Sequence, residues 1–237
     1  MIQFYAPYIE KDSVLPEEES MHCCRVLRKK VGDEIFVTDG KGCRYVCEIT
    51  KASPVATEVK IINCSVGLRE RNYSITLAVA PTKNSDRMEW MIEKAVELGV
   101  DRVSLLRCDR SERKIMKLAR IQKIMVSALK QSLDTYIPSL EEIIDFKDFV
   151  SRRVNNVQKF FGYCSDEFER KLFAREYTPF CDVEIMIGPE GDFSPEEVKL
   201  AIENDFIPVS FGEKRLRTET AGVFAVSAVH TINQRLK

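Results

Sequence analysis

The sequence predicts an α/β protein: a small β-rich domain at the N-terminus, then a larger domain of alternating strands and helices. Three observations carry this. An Asp39-Gly40 turn lies between two β-branched and aromatic runs, a strong hairpin signal. From Tyr73 onward, short apolar runs alternate with segments of helical periodicity, the pattern of a mostly parallel sheet covered by helices. The chain has 237 residues, which at about 150 residues per domain is one large domain or two small ones.

A short helix is expected around residues 17–28. Strands at 33–38 and 44–49 flank the Asp39-Gly40-Lys41-Gly42 turn, and 55–62 reads as a third strand, completing a small barrel or sandwich. Residues 65–72 (SVGLRERN) read as the linker. The second domain opens with a strand at 74–79 and a helix at 85–98. Met88, Met91, Ile92 and Ala95 follow helical spacing there, and Gly99 suits the C′ position. A strand at 102–106 and a basic helix at 114–133 come next, then strands at 158–163 and 182–187. The second of these runs into Gly188-Pro189-Glu190-Gly191-Asp192-Phe193. Ser194, Pro195 and Glu197 form a capping box with proline at N1, so a helix starts there. A strand at 207–211 and a helix at 218–236, apolar on more than one face, close the chain. No internal repeat or low-complexity tract is present.

Apolar residues make up 44% and charged residues 31%, which excludes collagenous, low-complexity and wholly disordered classes. The net charge of −1 is a balance of segregated charges. Residues 102–130 carry nine basic against two acidic side chains, and residues 134–205 carry seventeen acidic against eight basic. Such asymmetry suits a polyanion-binding surface, and equally a set of solvated helix faces. The opening segment carries charges where a signal peptide needs an apolar stretch, and no apolar run reaches about 18 residues, so a cytoplasmic chain without a membrane span is expected. The eight cysteines are then expected to stay reduced. Without CxxC spacing, and with only His22 and His230, no metal site is expected.

In open parallel sheets, ligands sit outside the carboxyl ends of the strands. Two such ends stand out here. Gly188-Pro189-Glu190-Gly191 is a tight loop whose backbone groups can read a ligand edge, and Leu216-Arg217-Thr218-Glu219-Thr220-Ala221 follows the strand at 207–211. Taken alone, the first is also an ordinary turn and the second an ordinary set of helix caps. The chain has no GxGxxG loop after an early strand, no P-loop, no HExxH and no GxSxG, so dinucleotide, P-loop, zinc-protease and α/β-hydrolase readings lack support. His230 lies within an apolar helix and reads as a core or interface residue.

Residues 187–194 (IGPEGDFS) together with Leu216-Arg-Thr-Glu-Thr-Ala221 resemble the signature pair of the 16S ribosomal RNA (uracil-1498, N3)-methyltransferase family, of the trefoil-knotted SPOUT class. Further matches follow in order: His22 with Arg25-Val26-Leu27-Arg28, Asp39-Gly40, Lys83, Arg87-Met88-Glu89, Lys94 with Glu97-Leu98-Gly99-Val100, Arg110-Ser111, and Gln131-Ser132 with Pro138. The resemblance spans nearly the whole chain. It departs at Asp192, where a second glycine is common, and at Leu133-Asp134-Thr135-Tyr136, where many relatives carry an arginine.

The resemblance implies a PUA-like β-barrel over residues 1–70 that binds RNA and a knotted methyltransferase domain over 73–237. It also implies a homodimer and S-adenosylmethionine as cofactor, with 16S rRNA or the small ribosomal subunit as partner. The implied cofactor residues are Tyr163, Gly188, Pro189, Glu190, Gly191, Phe211, Leu216, Arg217, Thr218, Thr220 and Ala221. Uracil N3 carries a proton at neutral pH, so methylation there needs a proton acceptor and a stabiliser of the anion. Glu219 (or Glu190) and Arg217 are the candidates. RNA phosphates are expected at Arg25, Arg28, Lys29, Lys83, Arg87, Lys94 and Arg110, each of which is also readable as solvated surface. The alternatives are a knotted RNA methyltransferase with another target (a ribose 2′-hydroxyl or tRNA) and a non-catalytic RNA-binding assembly protein.

Overall fold

The structure, a computed structural model, describes residues 2–67, 71–113, 115–165 and 167–235. Residues 68–70 of the expected linker, Lys114 at the head of the basic helix and Leu236 at the end of the last helix lie outside the described residues. By internal contacts the chain divides into two units, Met1–Glu70 with Val126–Ile137, and Arg71–Met125 with Pro138–Lys237.

The first unit holds β1 (Gln3–Tyr5), α1 (Ile9–Asp12), α2 (Glu17–Met21), β2 (Glu34–Thr38), β3 (Cys43–Lys51) and β4 (Glu58–Val66) in a four-stranded sheet of order β1-β2-β3-β4. β1 pairs parallel to β2, and the other pairs are antiparallel. Asp39 shapes the β2–β3 turn by accepting hydrogen bonds at Oδ1 from the amides of Lys41 (2.7 Å) and Cys43 (3.0 Å), as Asx turns do. α2 continues into a π-helical turn, His22–Val26, and the run ends at Arg28, which takes a left-handed φ of +54°. Phe4, Ile9, Leu15, Ile35, Val37, Tyr45 and Ile49 form its core.

The third strand differs from expectation. Residues 53–57 form a turn, because the Thr57 hydroxyl donates to the Ser53 carbonyl (2.8 Å), and Val55 is exposed. β4 therefore starts at Glu58, and its pairing reaches Val66 opposite Cys43, into the segment read as linker.

The second unit is built on an all-parallel sheet. Its elements are β5 (Ile75–Val79), α3 (Ser85–Glu97), β6 (Arg102–Arg107), α4 (Leu118–Ser132, whose last turns belong to the first unit), β7 (Ser139–Leu140), β8 (Ile144–Asp145), α5 (Phe146–Val150), β9 (Val157–Gly162), β10 (Lys171–Leu172), α6 (Phe173–Glu176), β11 (Asp182–Ile187), α7 (Pro195–Glu203), β12 (Ile207–Ser210) and α8 (Thr218–Gln234). The order is β10-β12-β9-β11-β5-β6-β7, with β8 also on β6. All five residues of β5 are buried, as in a strand covered on both faces. β11 is inserted between β5 and β9, both of which precede it in the chain.

α3 buries Met88, Met91, Ile92, Ala95 and Val96; Asn84 caps its start and Gly99 follows its end at φ +83°. α7 carries the complete capping box of Ser194 and Glu197. α4 begins at Leu118, later than expected. The short elements β7, β8, β10, α5 and α6 had no separate signal in the sequence.

Candidate active site

The parallel register sets Gly162 of β9 beside Ile187 of β11 and Val209 of β12, so three strands end at one level. Beyond them opens a cavity of about 540 Å³, within the range of small-molecule sites. Ile187, Val209, Phe211, Leu216 and Ala221 supply apolar wall. Arg87, Arg170, Lys214, Arg215 and Arg217 bring basic groups to it, and Glu190, Asp192, Glu213 and Glu219 bring acidic ones. Gly162 is needed where it is: a Cβ there would lie 3.0 Å from Phe211 Cε2 and 3.3 Å from Ile187 Cδ1.

The two loops singled out in the sequence are joined. The Thr218 hydroxyl, buried at the head of α8, donates to the Gly188 carbonyl (3.2 Å). Glu190 reaches away, its Oε1 accepting from the Lys83 amide (2.9 Å). Asp192 takes a left-handed φ of +61°, a backbone state that aspartate tolerates better than most residues, which accommodates it where a glycine is common. Its carboxylate accepts from the Cys164 amide (Oδ2, 2.9 Å) and from the Phe193 amide (Oδ1, 2.9 Å). From the loop after β6, Arg110 Nη1 donates to the carbonyls of Gly191 (2.9 Å) and Phe193 (3.2 Å), and Arg113 donates to those of Thr82 and Lys83. Asp109 accepts from the Ser194 hydroxyl (2.7 Å), and its amide donates to Glu197 (2.9 Å).

Glu219 is 11% exposed and faces Arg87, with Nε to Oε1 at 3.6 Å. A carboxylate so enclosed, next to one guanidinium, is placed to take a proton from a ligand in the cavity. Arg217 is exposed at the cavity, with no hydrogen bond or ion pair to a described residue. Burial and the nearby Asp192 push the Cys164 thiol up from its ordinary value, against Arg215 and Arg170, so it is a poor nucleophile.

Nine of the eleven residues expected at the cofactor line this cavity: Tyr163, Gly188, Pro189, Glu190, Phe211, Leu216, Arg217, Thr218 and Ala221. Gly191 and Thr220 do not. Gly191 turns toward Arg110, whose Cβ and Cδ would lie 3.5 Å from an added Cβ, and Thr220 is exposed on the first turn of α8.

The residues expected at RNA divide between the units. In the first, Arg25 and Arg28 are exposed, and half-buried Lys29 donates to the Glu34 carbonyl (3.4 Å). In the second, Lys83 pairs with Glu112 (2.9 Å) and Lys94 with Glu93 (2.7 Å) and Glu97 (2.8 Å). Arg87 lines the cavity and Arg110 braces its loop. Sequence reading missed Gly162, Asp192, Val209 and the basic groups of 214–215 as cavity residues. Their one available signal was position just after, or at the end of, a strand.

Comparison with known proteins adds an independent line. The family described as "RNA methyltransferase domain" matches residues 69–230, and "RNA methyltransferase PUA domain" matches residues 15–62. A solved structure described as a probable rRNA-methyltransferase from Porphyromonas gingivalis is 38% identical and covers 100% of both chains with a TM-score of 0.95. Ribosomal RNA small subunit methyltransferase E from Neisseria gonorrhoeae, solved bound to S-adenosyl methionine, is 29% identical over 98% of each chain at a TM-score of 0.85. The Bacillus subtilis protein of the same name is 27% identical, spanning 90% of this chain and 87% of its own.

Proposed function

The chain belongs to the RNA methyltransferase domain family, and from that premise we propose that it methylates N3 of one uridine of 16S ribosomal RNA, the equivalent of position 1498, using S-adenosylmethionine. The observation that carries this reading is the cavity at the ends of β9, β11 and β12. There both loops of the sequence signature meet, on the fold of a relative solved with that cofactor.

The residues present fit such a cofactor. An adenosyl group needs an apolar slot with backbone edges beside it, which Ile187, Val209, Phe211, Leu216 and the glycine-bearing 188–191 loop provide. Its charged methionyl end needs acidic and basic groups, present at Glu190, Asp192, Arg215 and Arg217. When bound, S-adenosylmethionine supplies an electrophilic methyl group.

The chain's own residues supply the rest. Glu219 accepts the proton that leaves uracil N3, held in place by Arg87. Arg217 stabilises the negative charge that the base acquires. Thr218 fixes the loop of Gly188 to the head of α8, so both walls keep one spacing. Phosphate contacts by Arg25, Arg28 and Lys29 in the first unit, and by Lys83 in the second, add affinity without sequence choice. The same reading makes the first unit a PUA-like barrel, makes the insertion of β11 between β5 and β9 part of a trefoil knot, and makes the working form a cytoplasmic homodimer.

The test is mass spectrometry of rRNA nucleosides from a strain lacking the gene. N3-methyluridine is expected to vanish from one site of 16S rRNA and return with the wild-type gene; its retention overturns the target. Calorimetry of the purified chain with S-adenosylmethionine tests the cofactor, and absence of binding overturns the enzymatic reading.

A further inference from the structure

We infer that Arg110 and Asp192 are a pair of positioning residues that hold the 188–193 loop in the shape the cofactor requires, and that Arg110 does not serve as a phosphate contact. This rests on the proposed reading of the cavity as the S-adenosylmethionine site.

Residues 188–193 form no helix or strand, so their peptide groups have no ladder to orient them. Opposite charges do that work from two sides. Arg110, on the loop after β6, gives one guanidinium nitrogen to two carbonyls of the loop, at 2.9 Å and 3.2 Å. Asp192, between those two carbonyls in sequence, turns its carboxylate to the Cys164 and Phe193 amides, both at 2.9 Å. Bonds with one ionised partner are the stronger kind. The left-handed backbone at Asp192 lets its carboxylate and the carbonyls of Gly191 and Phe193 find separate partners. The brace therefore ties together segments following three strands, β6, β9 and β11.

Arg110 is exposed and sits within a basic stretch of sequence, which is why it reads as an RNA contact. Its hydrogen bonds say otherwise. A guanidinium already committed to two carbonyls must give them up to clamp a phosphate. Asp192 shows the same logic in reverse: a carboxylate at an RNA-binding mouth opposes a polyanion, yet it stays because its two bonds are to backbone amides.

The experiment compares wild type, Arg110→Ala and Asp192→Gly. Glycine keeps the left-handed backbone accessible, so the second variant removes the carboxylate without adding strain. Three readouts are taken: cofactor affinity by calorimetry with S-adenosylmethionine, amide hydrogen exchange in the ligand-free chain, and the salt dependence of binding to a 16S rRNA fragment. Both variants are expected to weaken cofactor binding by about tenfold or more, with kcat at saturating cofactor within about threefold of wild type. Exchange is expected to quicken at the Cys164 amide in Asp192→Gly and at loop amides of 191–193 in Arg110→Ala. The salt slope of RNA binding is expected to be unchanged in Arg110→Ala. Cofactor affinity within twofold of wild type in both variants overturns the inference. So does a salt slope lowered by about one in Arg110→Ala, the mark of a lost phosphate contact. Failure of the wild type itself to bind S-adenosylmethionine overturns the reading of the cavity, and this inference with it.

Discussion

Arg217 and Arg87 show how context divides two like side chains. Arg87 is paired with Glu219, whereas Arg217 faces the cavity without a partner among the described residues. A guanidinium without a protein counter-charge is the one available to a ligand anion. Arg217→Ala is expected to bind cofactor normally and to lose about 100- to 1000-fold in kcat, measured by methyl transfer to rRNA. His230 is a residue of a different kind. Its Nδ1 meets the Tyr73 hydroxyl at 2.9 Å, and burial, then the charge of Arg71, holds its pKa down to about 4 against the pull of Asp101. The unfolded chain takes up this proton near pH 6.5, and the folded chain resists it until about 4. The unfolded state thus binds more protons between those values, so stability is full above pH 6.5 and falls as pH drops toward 4. Urea unfolding is expected to show wild type losing about 1 to 2 kcal/mol more than His230→Gln over that window, less than full burial would give because the ring is partly in water.

At the scale of elements, what was legible depended on whether the signal was local. The α7 capping box is written in four consecutive residues, and the structure contains both of its reciprocal bonds. The apolar spacing of α3 and its closing Gly99 were equally readable. The two-residue strands β7, β8 and β10 were not, since they exist only by pairing with β6 and β12. The start of β4 was misplaced because a side-chain bond from Thr57 to Ser53 outweighs the β propensity of Val55. Packing of α8 on α3 rests on a similar contingency. Gly222 is buried, and a Cβ there would lie 2.4 Å from the Met91 sulfur, itself fully buried. Gly222→Val is expected to cost about 2 to 3 kcal/mol through overpacking, read as a fall in the urea midpoint with unchanged slope.

On the scale of the whole molecule, a net charge of −1 conceals segregation. The structure divides the basic groups further by use. Arg120 pairs with Glu89, Lys130 with Glu19 (2.6 Å), and Lys94 with two glutamates, while Arg110 and Arg113 serve loop carbonyls. Arg28 is exposed on the first unit. Arg28→Ala is expected to weaken RNA binding and reduce its salt slope by about one, with cofactor affinity unchanged, as titrations at several salt concentrations would show.

Short-range order was in the sequence: the strand and helix alternation, the hairpin, the helix caps and the two loops that carry the family's signature. Those features depend on neighbours within a few residues, whose steric and hydrogen-bonding preferences act before any folding. Tertiary structure alone decided that β11 enters between β5 and β9, that β9, β11 and β12 end at one level, and that Arg87 and Arg110 belong to the cavity and its loop. Parallel strands pair across long stretches of chain, so their order is set by the packing of the whole sheet. A long basic side chain finds its partner only when distant carbonyls and carboxylates have been brought within reach.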